Sequence, residues 1–185
     1  QYLEKSVLTG DPEAREKIHN ASTMAGMAFA NAFLGMSHSM AHKIGGRFHT
    51  VHGRTNAILL PYVIRYNGTR PSKTTTWPKY NYWKADEKFQ DIARMLGLPH
   101  STPEEAVAAY AKAVYELGEK VGIKMNFKDQ GIDEQEWKKY THELALLAYE
   151  DQCSPANPRL PMVADMEEIM NDAYYGYKER PGRIK

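Results

Sequence analysis

The sequence predicts an all-α chain forming a single domain, and three observations carry that expectation. Helix-start signals recur along it: an acceptor side chain followed by proline or acids stands at Asp11-Pro12-Glu13, at Thr102-Pro103-Glu104-Glu105 and from Asp133 to Glu136. No segment sustains the period-two alternation of a half-buried strand, and Asn67-Gly68 closes a helical pattern instead of joining two apolar runs. The length of 185 residues, 42% of them hydrophobic, suffices for one core and excludes wholesale disorder.

Taken in order, Asp11 caps a long helix expected to reach about Phe33, with Pro12 at a position where its missing N–H costs nothing. Between Ala21 and Ala32 this helix carries Ala21, Ser22, Ala25, Gly26, Ala28 and Ala30, small residues that let another backbone or a flat ligand approach closely. Gly35 interrupts the pattern. A short helix follows to about Ile44, with Gly45-Gly46 read as its end. Thr50 is the expected cap of a third helix from Val51 to Tyr66, kinked at Pro61. Residues 67–83 read as a long loop; its aromatic and basic residues (Arg70, Lys73, Trp77, Lys79, Tyr80) suit a packed loop or subunit contact better than base stacking. Further helices are expected over 84–97, 102–121 and 133–151. A proline-rich break from Ser154 to Pro161 precedes the last helix, Ala164 to Tyr175.

Composition narrows the function classes. Lys+Arg 24 against Asp+Glu 23 leaves a formal charge of +1, so no whole-chain field steers it onto nucleic acid or an anionic membrane. The longest apolar run, Ala57 to Ile64, is eight residues and contains Pro61, far short of a membrane span. One cysteine allows no internal disulfide, in keeping with a reducing compartment, and a cytoplasmic location is expected. No glycine-rich phosphate cradle follows a strand.

The chemistry lies in a histidine cluster. Four of the seven histidines, His38, His42, His49 and His52, fall within fifteen residues. His38 and His42 are four apart on a helix, so they share one face. His52 stands at the expected start of the next helix, which a chain reversal would bring back beside the pair. Converging imidazoles suit a divalent transition metal. Spacing does not choose between His49 and His52, and packing or surface histidines are the competing reading. No carboxylate occurs between Glu16 and Asp86, so an acidic ligand would have to come from afar. Met24, Met27, Met36 and Met40 crowd the same region and read as core filling. Cys153, in a proline-bounded loop, reads as an incidental thiol.

Residues 25–42 (AGMAFANAFLGMSHSMAH) and 52–61 (HGRTNAILLP) resemble the signature of the iron-containing (group III) alcohol dehydrogenases. Residues 15–22 (REKIHNAS), 151–159 (DQCSPANPR) and 174–176 (YYG) are most similar to the C-terminal alcohol dehydrogenase part of its bifunctional aldehyde-alcohol dehydrogenase members. The resemblance implies a metal held by an aspartate, a histidine four residues later, and two histidines fourteen apart. The last two match His38 and His52. His42 matches a histidine beside the nicotinamide implicated in proton relay, and His49 falls at a variable position. Phe29 matches a residue near the nicotinamide and substrate cavity, and Cys153 borders that cavity by the same match.

The family's Asp-x-x-x-His pair and its dinucleotide-binding domain are expected upstream of Gln1, where residues 1–4 read as the tail of a helix already under way. By that resemblance, residues 1–185 are a C-terminal helical metal-binding domain, and the isolated chain would bind metal weakly. The implied cofactors are Fe²⁺, with Zn²⁺ as the alternative, and NAD(H). The implied reaction interconverts acetaldehyde and ethanol. The expected partners are a small alcohol or aldehyde and further copies of the chain, in a homo-oligomer or filament, with no nucleic acid or membrane. A stand-alone alcohol, diol or butanol dehydrogenase and a non-catalytic helical assembly module are the alternatives.

Overall fold

The computed structural model describes residues 1–71 and 83–176. Its elements there are α1 (Leu3–Thr9), α2 (Pro12–Ala32), α3 (Met36–Phe48), α4 (His52–Gly68), α5 (Ala85–Met95), α6 (Pro103–Lys120), α7 (Glu134–Tyr149) and α8 (Val163–Tyr175), with a 3-10 turn at Ser154–Ala156. No strand occurs among the described residues. Most of the aromatic-basic loop, residues 72–82, lies outside them.

The caps act as their residue types require. Asp11 accepts the Ala14 N–H at 2.9 Å, Thr102 Oγ1 accepts from Glu105 at 3.1 Å, and Asp133 accepts from Gln135 and Glu136. Glu105 reaches back to the Ser101 N–H at 2.7 Å, one residue earlier than a standard capping box. At the other ends, Gly97 (φ 70) and Gly122 (φ 84) close α5 and α6. Leu98 N–H there donates to Ala93 O and Ile123 N–H to Gly118 O, the paired Schellman pattern.

Helix α4 is the spine, packing against α3, α5, α6 and α8, while α7 pairs with α3 and α8. The core takes Met36, Met40 and Ile44 from α3, at intervals of four that place them on one face. Ile58, Leu59, Tyr62 and Val63 of α4 meet them, with Met166, Met170 and Tyr174 of α8. Trp137 lies at the centre of an aromatic stack with Phe48, Phe127 and Tyr174, centroids 5.6, 5.3 and 4.8 Å away. A smaller cluster of Ile64, Val107 and Ala111 joins α4 to α6.

Two expectations near the histidines are corrected. Gly45-Gly46 do not end α3, which continues to Phe48; the reversal comes at His49, which adopts a left-handed φ of 55°. Gly45 serves a different need: a Cβ there would lie 3.3 Å from the Thr50 carbonyl, so glycine lets the returning chain pass close over α3. Nor does Thr50 cap α4. Val51 precedes it without a side-chain cap, and the Thr50 hydroxyl pairs with that of Thr55 at 2.6 Å. Helix α4 is unbroken across the buried Pro61.

Candidate functional site at the α3–α4 junction

Because Met36, Met40 and Ile44 turn into the core, His38 and His42 are left on the outward side of α3. The tight return at His49 then sets His52, the first residue of α4, beside them. The three rings converge: centroids are 5.3 Å apart for His38–His52 and for His42–His52, and 6.3 Å for His38–His42. His42 and His52 are stacked within 16°. His49, spent on the left-handed helix end, is not part of this arrangement.

Asn56 braces the junction. Its amide nitrogen lies 3.2 Å from both the backbone oxygen and Nε2 of His52, and its carbonyl accepts from Ser37 Oγ at 3.0 Å. Sequence reasoning passed over this residue, although its position four after His52 was a usable signal. Burial, then the neighbouring His52 and His42, pull the His38 pKa below its ordinary value, favouring the neutral imidazole that ligates metals.

A second group comes from a distant part of the chain. Asp151, in the turn after α7, accepts from Lys43 Nζ at 2.9 Å, from His42 Nδ1 at 3.3 Å and from the Cys153 N–H at 3.0 Å. Its side chain is only 8% exposed. Burial works to raise the Asp151 pKa, but Lys43, the Cys153 N–H and His42 outweigh it and hold the carboxyl well below the carboxylate range. Cys153 is 1% exposed, and burial, with Asp151 beside it, pushes its thiol up to about 11.

Phe29 stands over the cluster from α2, its ring 6.4 Å from that of His38. Around it α2 is open: of its 21 residues only Ala14 is buried, and nothing lies within 4 Å of a Cβ built on Gly26. The reading of four methionines as core filling therefore holds for half of them. Met36 and Met40 are fully buried, whereas Met24 and Met27 are 69% and 64% exposed.

The donor set fits a divalent transition metal: three imidazoles face one another, and one of them is held toward its neutral form. Donor atoms of His42, Asp151 and Cys153 also lie within 4.8 Å of one another. That trio suits a cation poorly, because the Lys43 ammonium already occupies the carboxylate and the thiol keeps its proton at neutral pH.

An all-helical domain with an imidazole cluster where two of its helices meet is the class that fold and site define. The comparisons say which: residues 1–174 match the family model described as Fe-containing alcohol dehydrogenase family, C-terminal, and the chain belongs to that family. The aldehyde-alcohol dehydrogenase of Streptococcus pneumoniae is 79% identical over 185 residues, covering 100% of this chain and 21% of its own. Aldehyde-alcohol dehydrogenase 2 of Entamoeba histolytica is 60% identical over 166 residues, 90% of this chain and 19% of its own. Among solved structures, a 1,3-propanediol oxidoreductase superposes with a TM-score of 0.79 at 32% identity, covering 94% of this chain and 41% of that one. The chain thus spans about a fifth of the length of these two aldehyde-alcohol dehydrogenases. No helix among the described residues is long and apolar enough to cross a membrane.

Proposed function

We propose that this chain is the helical, metal-holding part of an alcohol dehydrogenase that interconverts a short-chain aldehyde and alcohol, acetaldehyde and ethanol, with NADH and NAD⁺. We place it within a bifunctional aldehyde-alcohol dehydrogenase, a reading supported by the 79% and 60% identical relatives of that name. The observation that carries the proposal is the convergence of His38, His42 and His52 within 5.3–6.3 Å, ring to ring.

In this reading His38 and His52 hold the metal, iron or alternatively zinc, together with ligands from outside this chain. When bound, the metal supplies Lewis-acid polarisation of the substrate oxygen. His42 is the proton carrier: it sits against both ligand rings and has a carboxylate behind it. Phe29 gives the nicotinamide an apolar wall beside His38, and the exposed small residues of α2 let cofactor and substrate approach close to backbone. Cys153 backs the cavity without reacting, since its thiol keeps its proton at neutral pH. The dinucleotide itself is bound mainly by a domain outside these 185 residues.

The test is metal content together with turnover in the intact enzyme. His38→Ala and His52→Ala are each expected to lower bound iron at least tenfold and to abolish NADH-dependent acetaldehyde reduction, while circular dichroism stays unchanged. Unchanged iron in both variants would sink the ligand assignment. The isolated 185-residue chain is expected to bind iron weakly and to lack measurable turnover.

A further inference from the structure

We propose that Asp151 is a positioning residue that sets which nitrogen of His42 carries the proton. The inference rests on the proton-carrier role given to His42 above and deepens it.

The geometry is that of a clamped carboxylate. Oδ1 of Asp151 accepts the Cys153 N–H at 3.0 Å, while Oδ2 receives Lys43 Nζ at 2.9 Å and faces His42 Nδ1 at 3.3 Å. The turn that carries Asp151 is itself anchored. Asp151 N–H donates to Ala148 O at 3.2 Å, Ser154 N–H to Asp151 O at 3.0 Å, and Ser154 Oγ to Ala148 O at 2.6 Å. The carboxylate therefore has little freedom to turn. It is also a pure acceptor, so the hydrogen between it and His42 has to sit on Nδ1.

A neutral His42 then keeps its lone pair on Nε2. In alcohol oxidation the hydroxyl proton passes to that nitrogen as hydride passes to NAD⁺; in aldehyde reduction both move the other way. Without the carboxylate the ring could hold its hydrogen on either nitrogen, and the Nε2–H form cannot accept a proton there. Lys43 lies one residue after His42 and binds the same oxygen, which keeps Asp151 a carboxylate beside the site. The sequence hid this arrangement, because His42 and Asp151 are 109 positions apart.

The test uses the intact enzyme, metal-free and labelled with ¹⁵N-histidine, and Asp151→Asn. The asparagine preserves an acceptor for the Cys153 N–H but can present its amide N–H₂ to His42. Wild type is expected to show His42 in the Nδ1–H form, and the variant to shift it toward Nε2–H. In the iron-loaded enzyme kcat should fall about 100-fold or more, the scale of a lost general base, with KM for the alcohol within about threefold. Asp151→Glu, which retains a carboxylate, should recover part of that loss. An Nε2–H form in wild type overturns the proposal whatever the variant does, so a variant that fails to fold still leaves it decidable. Unchanged tautomer and kcat in Asp151→Asn overturn it as well. A wild-type enzyme without alcohol dehydrogenase activity would instead refute the function proposed above, and the tautomer measurement would stand apart from that failure.

Discussion

Cys153 shows how one residue's surroundings decide its chemistry. In sequence it is a thiol in a proline-bounded loop and reads as incidental. In the fold it is 1% exposed and lies beside the ionised Asp151, and burial leads in pushing its pKa from 9.0 up to about 11. Iodoacetamide at pH 8 is therefore expected to label Cys153 at least tenfold more slowly in the folded protein than in guanidinium, as followed by mass spectrometry. Equal rates would show that the thiol is neither buried nor held protonated. The histidines make the opposite case. Their i, i+4 and i, i+14 spacing was visible in the chain, and so was the likelihood of a shared face. The residues that orient them were harder to single out, since Asp151 stands 109 positions from His42 and Asn56 was marked only by its place four residues after His52.

Among the helices, starts were more legible than ends. Asp11, Thr102 and Asp133 cap through their own side chains, so sequence and structure agree to a residue or so there. The Gly45-Gly46 pair misled because glycine favours a helix end by freeing φ, while here Gly45 relieves a close approach to Thr50 and Gly46 faces open space. The methionines misled for a related reason: periodicity reports a shared face but not whether anything covers it. Met36→Ala and Met40→Ala, in a core that is fully buried, should each cost about 2–5 kcal/mol. Met24→Ala and Met27→Ala on the open α2 should stay within about 0.5 kcal/mol, all four measured by urea unfolding. A similar argument applies where α4 crosses α6. A Cβ on Gly68 would fall 2.5 and 2.7 Å from the two methyls of Val107, a stiff β-branched side chain that has no rotamer to spare. Gly68→Ala should cost about 1–3 kcal/mol, and adding Val107→Ala should recover part of it. A strictly additive double variant would contradict the contact.

At the scale of the whole molecule, the all-helical class followed from caps and periodicity, but the closure of the bundle did not. The connector from 121 to 133 has no periodicity, yet it inserts the buried Met125 and Phe127 and is tied to α8. Phe127 N–H donates to Ala173 O at 3.1 Å, Lys128 N–H to Tyr174 O at 3.2 Å, and Tyr174 Oη–H to Ile132 O at 2.9 Å. Tyr174 also stacks on Trp137, so it joins connector, α7 and α8 at one point. Burial first, then the negative charge of Glu134, pushes its phenol from 10.0 up to about 12. The folded state holds this proton more tightly than the unfolded chain. Its contribution to stability is therefore complete below pH 10 and is lost as pH rises through 12. Cys153 acts in the same direction between pH 9 and 11, so the experiment belongs in a Cys153→Ala background. There, the melting temperature should fall steeply between pH 10 and 12, and Tyr174→Phe should flatten that fall. The same substitution should cost about 0.5–1.5 kcal/mol at pH 7 through the lost hydrogen bond. Parallel melting curves across the alkaline range would mean that Tyr174 ionises as freely in the fold as in the unfolded chain, and the bundle would owe its alkaline limit to another group.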